Sequence, residues 1–182
     1  FGFSGTMKFR SSMGMRRILT YGAPILRQPT RRVTDLDGDL QRLIDDMVET
    51  MYAAPGLGLA ANQVGSPHRL FVANPAENRD PAKLLVMLNP ELVETEGEIL
   101  FEEGCLSIPD FREDVRRARR VLLRGIDRNG LPLEVEGEQV LARIFQHEMD
   151  HLNGLFFVDR LSPAKRFLLG KKLRRAFLDP KT

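Results

Sequence analysis

Only one of the 182 residues, Cys105, is a cysteine, so no internal disulfide can form and the chain suits a reducing compartment, the cytosol by default. Long apolar runs are missing as well. Nothing approaches the roughly 18 residues a spanning helix needs, which excludes helical insertion into a membrane. The N-terminal residues have no apolar stretch of the kind a secretory signal carries, and no internal repeat or low-complexity linker interrupts the remainder. Residues 1–14 open on Phe1 rather than Met, with possible starts at Met7, Met13 and Met15 in or just beyond them. They are expected to be an appended or targeting remnant, which leaves residues 15–182 as the domain. With 42% hydrophobic and 29% charged residues, the chain can build one core and is short for two.

What is present falls into two regimes of periodicity. Leu40, Leu43, Ile44, Met47, Val48 and Met51 recur at steps of three and four, a helical face that Pro55 and Gly56 end. Between His68 and Gly137 lie short β-rich stretches ("HRLFVANP", "KLLVMLNPELVET", "EGEILFEEGCLSIP", "VRRARRVLLRGID") separated by Pro, Gly and Asn. Asn129-Gly130 predicts a hairpin turn, because both residues accept positive φ. A second helix is predicted over Glu138–Asn153 with Gly154 as its C′ residue, and a third from Ser162-Pro163 to Phe177. The order helix, strands, helix, helix indicates an α+β single domain, with mixed or antiparallel sheets around a central second helix and a C-terminal helix.

That central helix contains "QHEMDHLNGL", with His147, Glu148 and His151 in an HExxH pattern. On a wheel of about 100° per residue the two imidazoles lie about 40° apart, between an apolar arc and a polar sector holding Arg143, Gln146, Asp150 and Asn153. Glu148 falls inside the apolar arc, where an unpaired carboxylate is costly. Satisfied core histidines would explain one imidazole but not two at i and i+4 beside an inward acid. A divalent metal ion accounts for all three. A third ligand does not follow downstream: Phe157 occupies the third histidine position of the longer H-E-x-x-H-x-x-G-x-x-H pattern, and no Glu occurs after Glu148. Upstream candidates are His68 and Cys105, of which Cys105 has the better surroundings in "FEEGCLSIP". Its neighbours Glu102 and Glu103 would raise the pKa of a free thiol, which argues against a plain cysteine nucleophile. The glycine-rich "GLGLAANQVG" follows a predicted helix rather than a strand, so a dinucleotide loop is rejected. By itself it reads as a turn in which Gly56 and Gly58 admit close backbone approach and Gln63 offers an amide.

"GLGLAANQ", "EGCLS" and "QHEMDH", in that order, resemble the three motifs of the peptide deformylase family, and the resemblance runs from about Ile18 to at least Arg160. It implies a hydrolase that removes the formyl group from formyl-methionyl nascent peptides and releases formate. Cys105, His147 and His151 would be ligands of one divalent metal, Fe2+ in the cell with Zn2+ or Ni2+ tolerated, and Glu148 would carry protons. Gln63 and the Leu106 backbone N–H would serve the oxyanion. Gly58 and Gly104 would hold the peptide extended, and Arg112 matches a family arginine near the substrate. The wheel puts Val140 on the histidine face with Ile144 beside it, and both are assigned to the pocket for the first side chain. A metal-binding protein without catalysis would need neither Gln63 nor Glu148, and another small-acyl amidase on the same scaffold is separated from a deformylase only by the family.

The charge balance of +2 conceals a basic tail. Residues 160–182 carry eight Lys or Arg and one acid, a net +7, which leaves −5 on the rest. In it Lys165, Arg166, Lys171, Lys172, Arg174 and Arg175 alternate with apolar residues. A packed helix with a solvated outer face is the first expectation. The alternative, by resemblance to some bacterial deformylases, is docking of helix 162–178 on ribosomal RNA. Neither DNA nor membrane is expected as a partner, and location is expected to be cytoplasmic of bacterial type, with an organelle as the other option.

Overall fold

The computed structural model describes residues 14–179, so the expected N-terminal remnant lies outside them except for Gly14. The first helix, α1 (Gly38–Ala53), buries Leu40, Leu43, Ile44, Met47 and Met51, the face set by their spacing. It begins before Leu40 because the Asp37 carboxylate accepts the Leu40 N–H at 2.9 Å and caps an extra turn. Seven strands follow: β1 (Gly58–Ala60), β2 (Leu70–Ala73), β3 (Leu85–Glu96), β4 (Ile99–Cys105), β5 (Ile108–Arg117), β6 (Arg120–Ile126) and β7 (Pro132–Glu138). They form one five-stranded antiparallel sheet in the order β1-β2-β3-β6-β7 and a separate β4-β5 hairpin.

The β6–β7 turn differs from its expected form. Gly130 alone takes positive φ, 85°, while Asn129 does not. The loop is longer, with Ile126 facing Pro132, and the Asp127 carboxylate accepts the N–H groups of Asn129 and Leu131 at 2.8 and 3.0 Å. An acid at the start of the loop thus supplies what a two-residue turn takes from two left-handed positions.

The second helix, α2 (Val140–Leu152), starts two residues late because Glu138 still pairs with Arg120 across β7 and β6. Gln139 then turns the chain at φ 52°. At the other end Gly154 sits at φ 77°, and a Cβ there would come within 2.7 Å of the Arg27 carbonyl oxygen, so the stop depends on glycine. The third helix, α3 (Pro163–Leu173), has Ser162 as N-cap and passes into a π-helical turn, Arg174–Leu178, rather than continuing as α-helix to Phe177.

Every residue of β2 is buried, because alternate side chains feed two different layers. Leu70 and Val72 pack with α1 residues, whereas Phe71 and Ala73 pack with Ile144, Phe145, Met149 and Leu152 of α2. The sheet is therefore covered by α1 on one face and α2 on the other. A third cluster joins Ile108 and Val115 of β5 to Phe156, Phe157, Leu169 and Leu173, which holds the β4-β5 hairpin and α3 together. Helix α2 is the element the layers enclose, and nine of its thirteen residues are buried, including both histidines and both acids. This is the α+β domain with a central HExxH helix, its sheets antiparallel throughout.

Candidate active site

Three elements deliver the site. Helix α2 presents His147 and His151 one turn apart, β4 ends on Cys105, and the short helical segment Ala61–Val64 after β1 presents Gln63. The Cys105 Sγ lies 3.1 Å from His151 Nε2, which lies 3.2 Å from His147 Nε2, and one ligand atom from each residue falls within 4.8 Å of the others. Among the described residues this is the one cluster of three or more His, Cys, Asp or Glu groups that could hold a metal ion.

Whether the donor set suits a cation is answered by its protonation. Burial lowers the His151 pKa well below its ordinary value, with the charge of His147 acting the same way, so that ring is neutral and offers a lone pair. For His147 burial also lowers the pKa, but hydrogen bonds with Cys105 and Glu103 outweigh it and hold a proton up to about 10. A positive charge is thus favoured where sulfur and two ring nitrogens converge. The ring orientation agrees: His147 Nδ1 meets Glu103 Oε2 at 2.9 Å, which directs Nε2 inward in the carboxylate–histidine arrangement common at zinc sites. Soft sulfur and borderline imidazole donors suit Fe2+, Zn2+ and Ni2+ rather than Mg2+ or Ca2+.

Behind His147 runs a buried ionic chain that sequence reading missed. Glu103 is wholly buried and accepts a fork from Arg117, at 2.7 and 2.9 Å. Arg117 also reaches Asp150 at 2.6 Å, and Asp150 accepts two further bonds from Arg160, at 2.5 and 3.1 Å. Burial would raise the Glu103 pKa, but bonding to Arg117 and then to His147 brings it down to about 2. Glu103 is therefore ionised and engaged with these two partners. Asp150, in the polar sector of the wheel, is likewise buried against two arginines rather than facing solvent.

A cleft of about 470 Å³ opens over the cluster. Gly58, Gln63, Gly104, Cys105, Leu106, Arg112, Ile144, His147 and Glu148 all line it, together with Arg143. Arg143, in the polar sector of the wheel, thus lies toward the cleft. Val140 is absent from that lining. As the first residue of α2 it has no preceding helical turn to cover it and is 42% exposed. The other ligand candidate, His68, sits apart, with its ring at 2.7 Å from Ser66 Oγ. Phe157 stacks on the His147 ring at 6.4 Å, an apolar wall where the longer motif has a histidine.

Glu148 is 3% exposed, and its Oε2 has no hydrogen-bond partner among the described residues. Burial pushes its carboxyl up to about 7, against the opposing charges of His147 and Arg143. A Cβ on Gly58 would overlap the Glu148 carboxylate, so the glycine opens the space that the acid occupies. Gln63 is held at both ends: its Oε1 accepts the Ala60 N–H at 2.9 Å, and its Nε2 donates to Ser107 Oγ at 3.0 Å and approaches Cys105 Sγ at 3.7 Å. Ser107, unremarked in the sequence, also directs its N–H to Cys105 Sγ at 3.4 Å.

A three-donor cysteine–histidine cluster, a buried acid beside it and a fixed amide across the cleft define a mononuclear metal-dependent enzyme built on an HExxH helix. Comparison with known proteins narrows the class. The family model described as polypeptide deformylase matches residues 15–167. A peptide deformylase from Thermodesulfovibrio yellowstonii is 46% identical over 162 residues, 89% of this chain and 98% of that protein. The crystal structure of a peptide deformylase from Legionella pneumophila superposes with a TM-score of 0.83 at 43% identity, covering 93% of this chain and all of the other. One from Synechococcus elongatus, in complex with actinonin, gives 0.81 at 40% identity over 88% of this chain and 92% of its own. The chain belongs to the polypeptide deformylase family.

Proposed function

We propose that this protein removes the N-terminal formyl group from the formyl-methionine of newly made polypeptides, releasing formate and a free amine. The observation that carries the reading is Glu148: a buried carboxyl with a free oxygen, poised near neutrality, one residue from a metal ligand and facing the cleft.

Cys105, His147 and His151 would hold the ion, Fe2+ in the cell with Zn2+ or Ni2+ as substitutes. When bound, a divalent ion supplies Lewis acidity to the formyl carbonyl and makes water acidic enough to react near neutral pH. The chain's own groups do the rest. Glu148 accepts the proton of the attacking water and delivers it to the amine nitrogen as the C–N bond breaks, a transfer for which a carboxyl pKa near 7 is well placed. The Gln63 Nε2 and the Leu106 N–H donate to the oxygen that becomes negative in the tetrahedral state. Fixing Gln63 Oε1 on the Ala60 N–H pre-orients that amide, so little reorganisation accompanies charge development. Glu103 holds the His147 ring in the tautomer that leaves Nε2 free.

Gly58 and Gly104 border the cleft from β1 and β4, where a peptide can lie extended, and Ile144 offers apolar surface to the methionine side chain. Arg112 also lines the cleft, its side chain 68% exposed and 3.5 Å from Glu102, where it can meet the peptide. No helix among the described residues is long and apolar enough to cross a membrane. A cytoplasmic setting of bacterial type matches the substrate. The C-terminal helix supports a second contact, with ribosomal RNA: Phe167 and Leu168 are each 62% exposed beside Arg166, Lys171 and Arg174. Salt-sensitive co-sedimentation with ribosomes, lost on deletion of residues 162–182, tests that contact.

Formate release from formyl-Met-Ala-Ser by anaerobically iron-loaded protein tests the main reading, with acetyl-Met-Ala-Ser as control. Release from the formyl peptide alone is expected; equal turnover of both, or of neither, rejects it.

A further inference from the structure

Arg143 lies one turn before His147 on the same face of α2, in the lining of the cleft. It is half-buried, and its guanidinium carbon stands 5.9 Å from the centre of the Phe101 ring on β4. The cleft has one other arginine, Arg112, and the Glu102 carboxylate stands 3.5 Å from it. Arg143 has neither an ion pair nor a side-chain hydrogen bond among the described residues, although thirteen other Arg or Lys side chains pair with carboxylates. Of the remaining cleft carboxylates, Glu148 is buried beside the ligand cluster, and Asp110 is exposed on β5, a different wall. A planar cation steadied by an aromatic ring, with its donors unspent and facing a peptide-binding cleft, is a receptor for a carboxylate.

We propose that Arg143 is a specificity-determining residue that selects substrates with an acidic side chain at the second or third position of the chain. This rests on the deformylase reading above and deepens it. One helical turn is about 5.4 Å, and an extended peptide advances about 3.3 Å per residue. Starting from a formyl carbon at the ligand cluster, the residues that pass Arg143 are those just after the methionine, within reach of its long side chain. A glutamate or aspartate there completes a charge-assisted pair. A lysine meets like charge in a half-closed space.

The test is kcat/KM for formyl-Met-Xaa-Ala-amide and formyl-Met-Ala-Xaa-amide with Xaa as Glu, Gln or Lys, the amides removing any terminal carboxylate. Glu is expected to exceed Gln by about tenfold at one position, the size of one charge-assisted hydrogen bond, with the difference in KM. Lys is expected to fall below Gln. Arg143→Gln should bring the Glu/Gln ratio to near one, Arg143→Lys should retain part of it, and Arg143→Glu should favour Lys. Wild-type ratios near one at both positions, or an unchanged ratio in Arg143→Gln, overturn the proposal. If the variants fold poorly in thermal melts, the wild-type ratio across a salt series decides: decline at high salt supports a charge contact and insensitivity refutes it. Wild-type turnover of formyl-Met-Ala-Ala-amide separates the two failures, since formate without acid preference sinks only the role of Arg143.

Discussion

Arg117→Met puts the ionic chain behind His147 to a quantitative test. Arg117 is 5% exposed and bridges two buried carboxylates, Glu103 at 0% and Asp150 at 3%. Methionine keeps much of the stem's volume but leaves Glu103 with His147 alone, while Asp150 keeps Arg160. Stranding a buried charge in this way costs about 3–5 kcal/mol. In a domain of this size each kcal/mol lowers Tm by about 2–4 °C, so a fall of roughly 10 °C is expected. The mechanism predicts more than the loss. Glu103→Gln alone should destabilise as well, because it leaves Arg117 with one carboxylate. In the double variant the two losses should not add, because neither unpaired partner remains. Metal affinity gives an independent readout: loosening the Glu103 contact to His147 should weaken binding by about 10- to 100-fold, as measured by competition with a chromophoric chelator. Thermal melts of all four proteins, with and without metal, complete the cycle. Additive losses, or an Arg117→Met penalty below about 1 kcal/mol, would show that the chain is a surface-like pairing without structural consequence.

The ligands were legible in the sequence because their chemistry is local. His147 and His151 share a helical face by spacing alone, and the exclusion of Phe157 and of any downstream Glu pointed upstream to two residues. Cys105 was preferred over His68 for its surroundings in "FEEGCLSIP", and the structure accounts for it through β4, which ends on Cys105 with its Sγ 3.1 Å from His151 Nε2. What supports the ligands was not legible. Glu103 and Arg117 are 14 positions apart and Arg117 and Asp150 are 33, and in a sequence with 29% charged residues no local pattern singles out that trio. One signal was available: β5 reads "IPDFREDVRR", and Arg117 follows Val115 by two, which places it on the same inward face of the strand. An arginine at an inward strand position needs a buried acid, just as Glu148 on its apolar arc needs a reason. A wheel gives direction around an axis but not position along it, and Val140, the first residue of α2, stands about two turns before His147.

Three further perturbations follow from the geometry. Gly58→Ala places a methyl group against the Glu148 carboxylate, so formate release should fall at least about tenfold while metal content, measured by elemental analysis, is retained; unchanged activity would show that the overlap relaxes harmlessly. Acid titration probes Glu103: its native pKa near 2 lies below the ordinary value of 4.5, so its contribution of about 3 kcal/mol is full above pH 4.5 and is lost as pH falls toward 2. Urea melts across that window should show the loss in wild type and a shallower slope in Glu103→Gln. Glu148→Gln separates catalysis from stability. The amide keeps the shape of the carboxyl but cannot accept the water's proton, so kcat should drop by about 10²- to 10⁴-fold. Stability should move the other way. Burial raises the native pKa of Glu148 from 4.5 to about 7, so in metal-free protein the neutral acid is favoured below pH 4.5, and the fold loses up to about 3 kcal/mol as pH rises through 7. Glutamine carries no charge to desolvate. The metal-free variant should therefore match wild type near pH 5 and exceed it near pH 8, and reloading the metal should narrow the gap, because a nearby cation favours the carboxylate. A variant that is inactive and also less stable at pH 8 would mean that Glu148 contributes to the fold through a contact other than the one seen, and the assignment of its free oxygen to proton transfer would lose its structural basis.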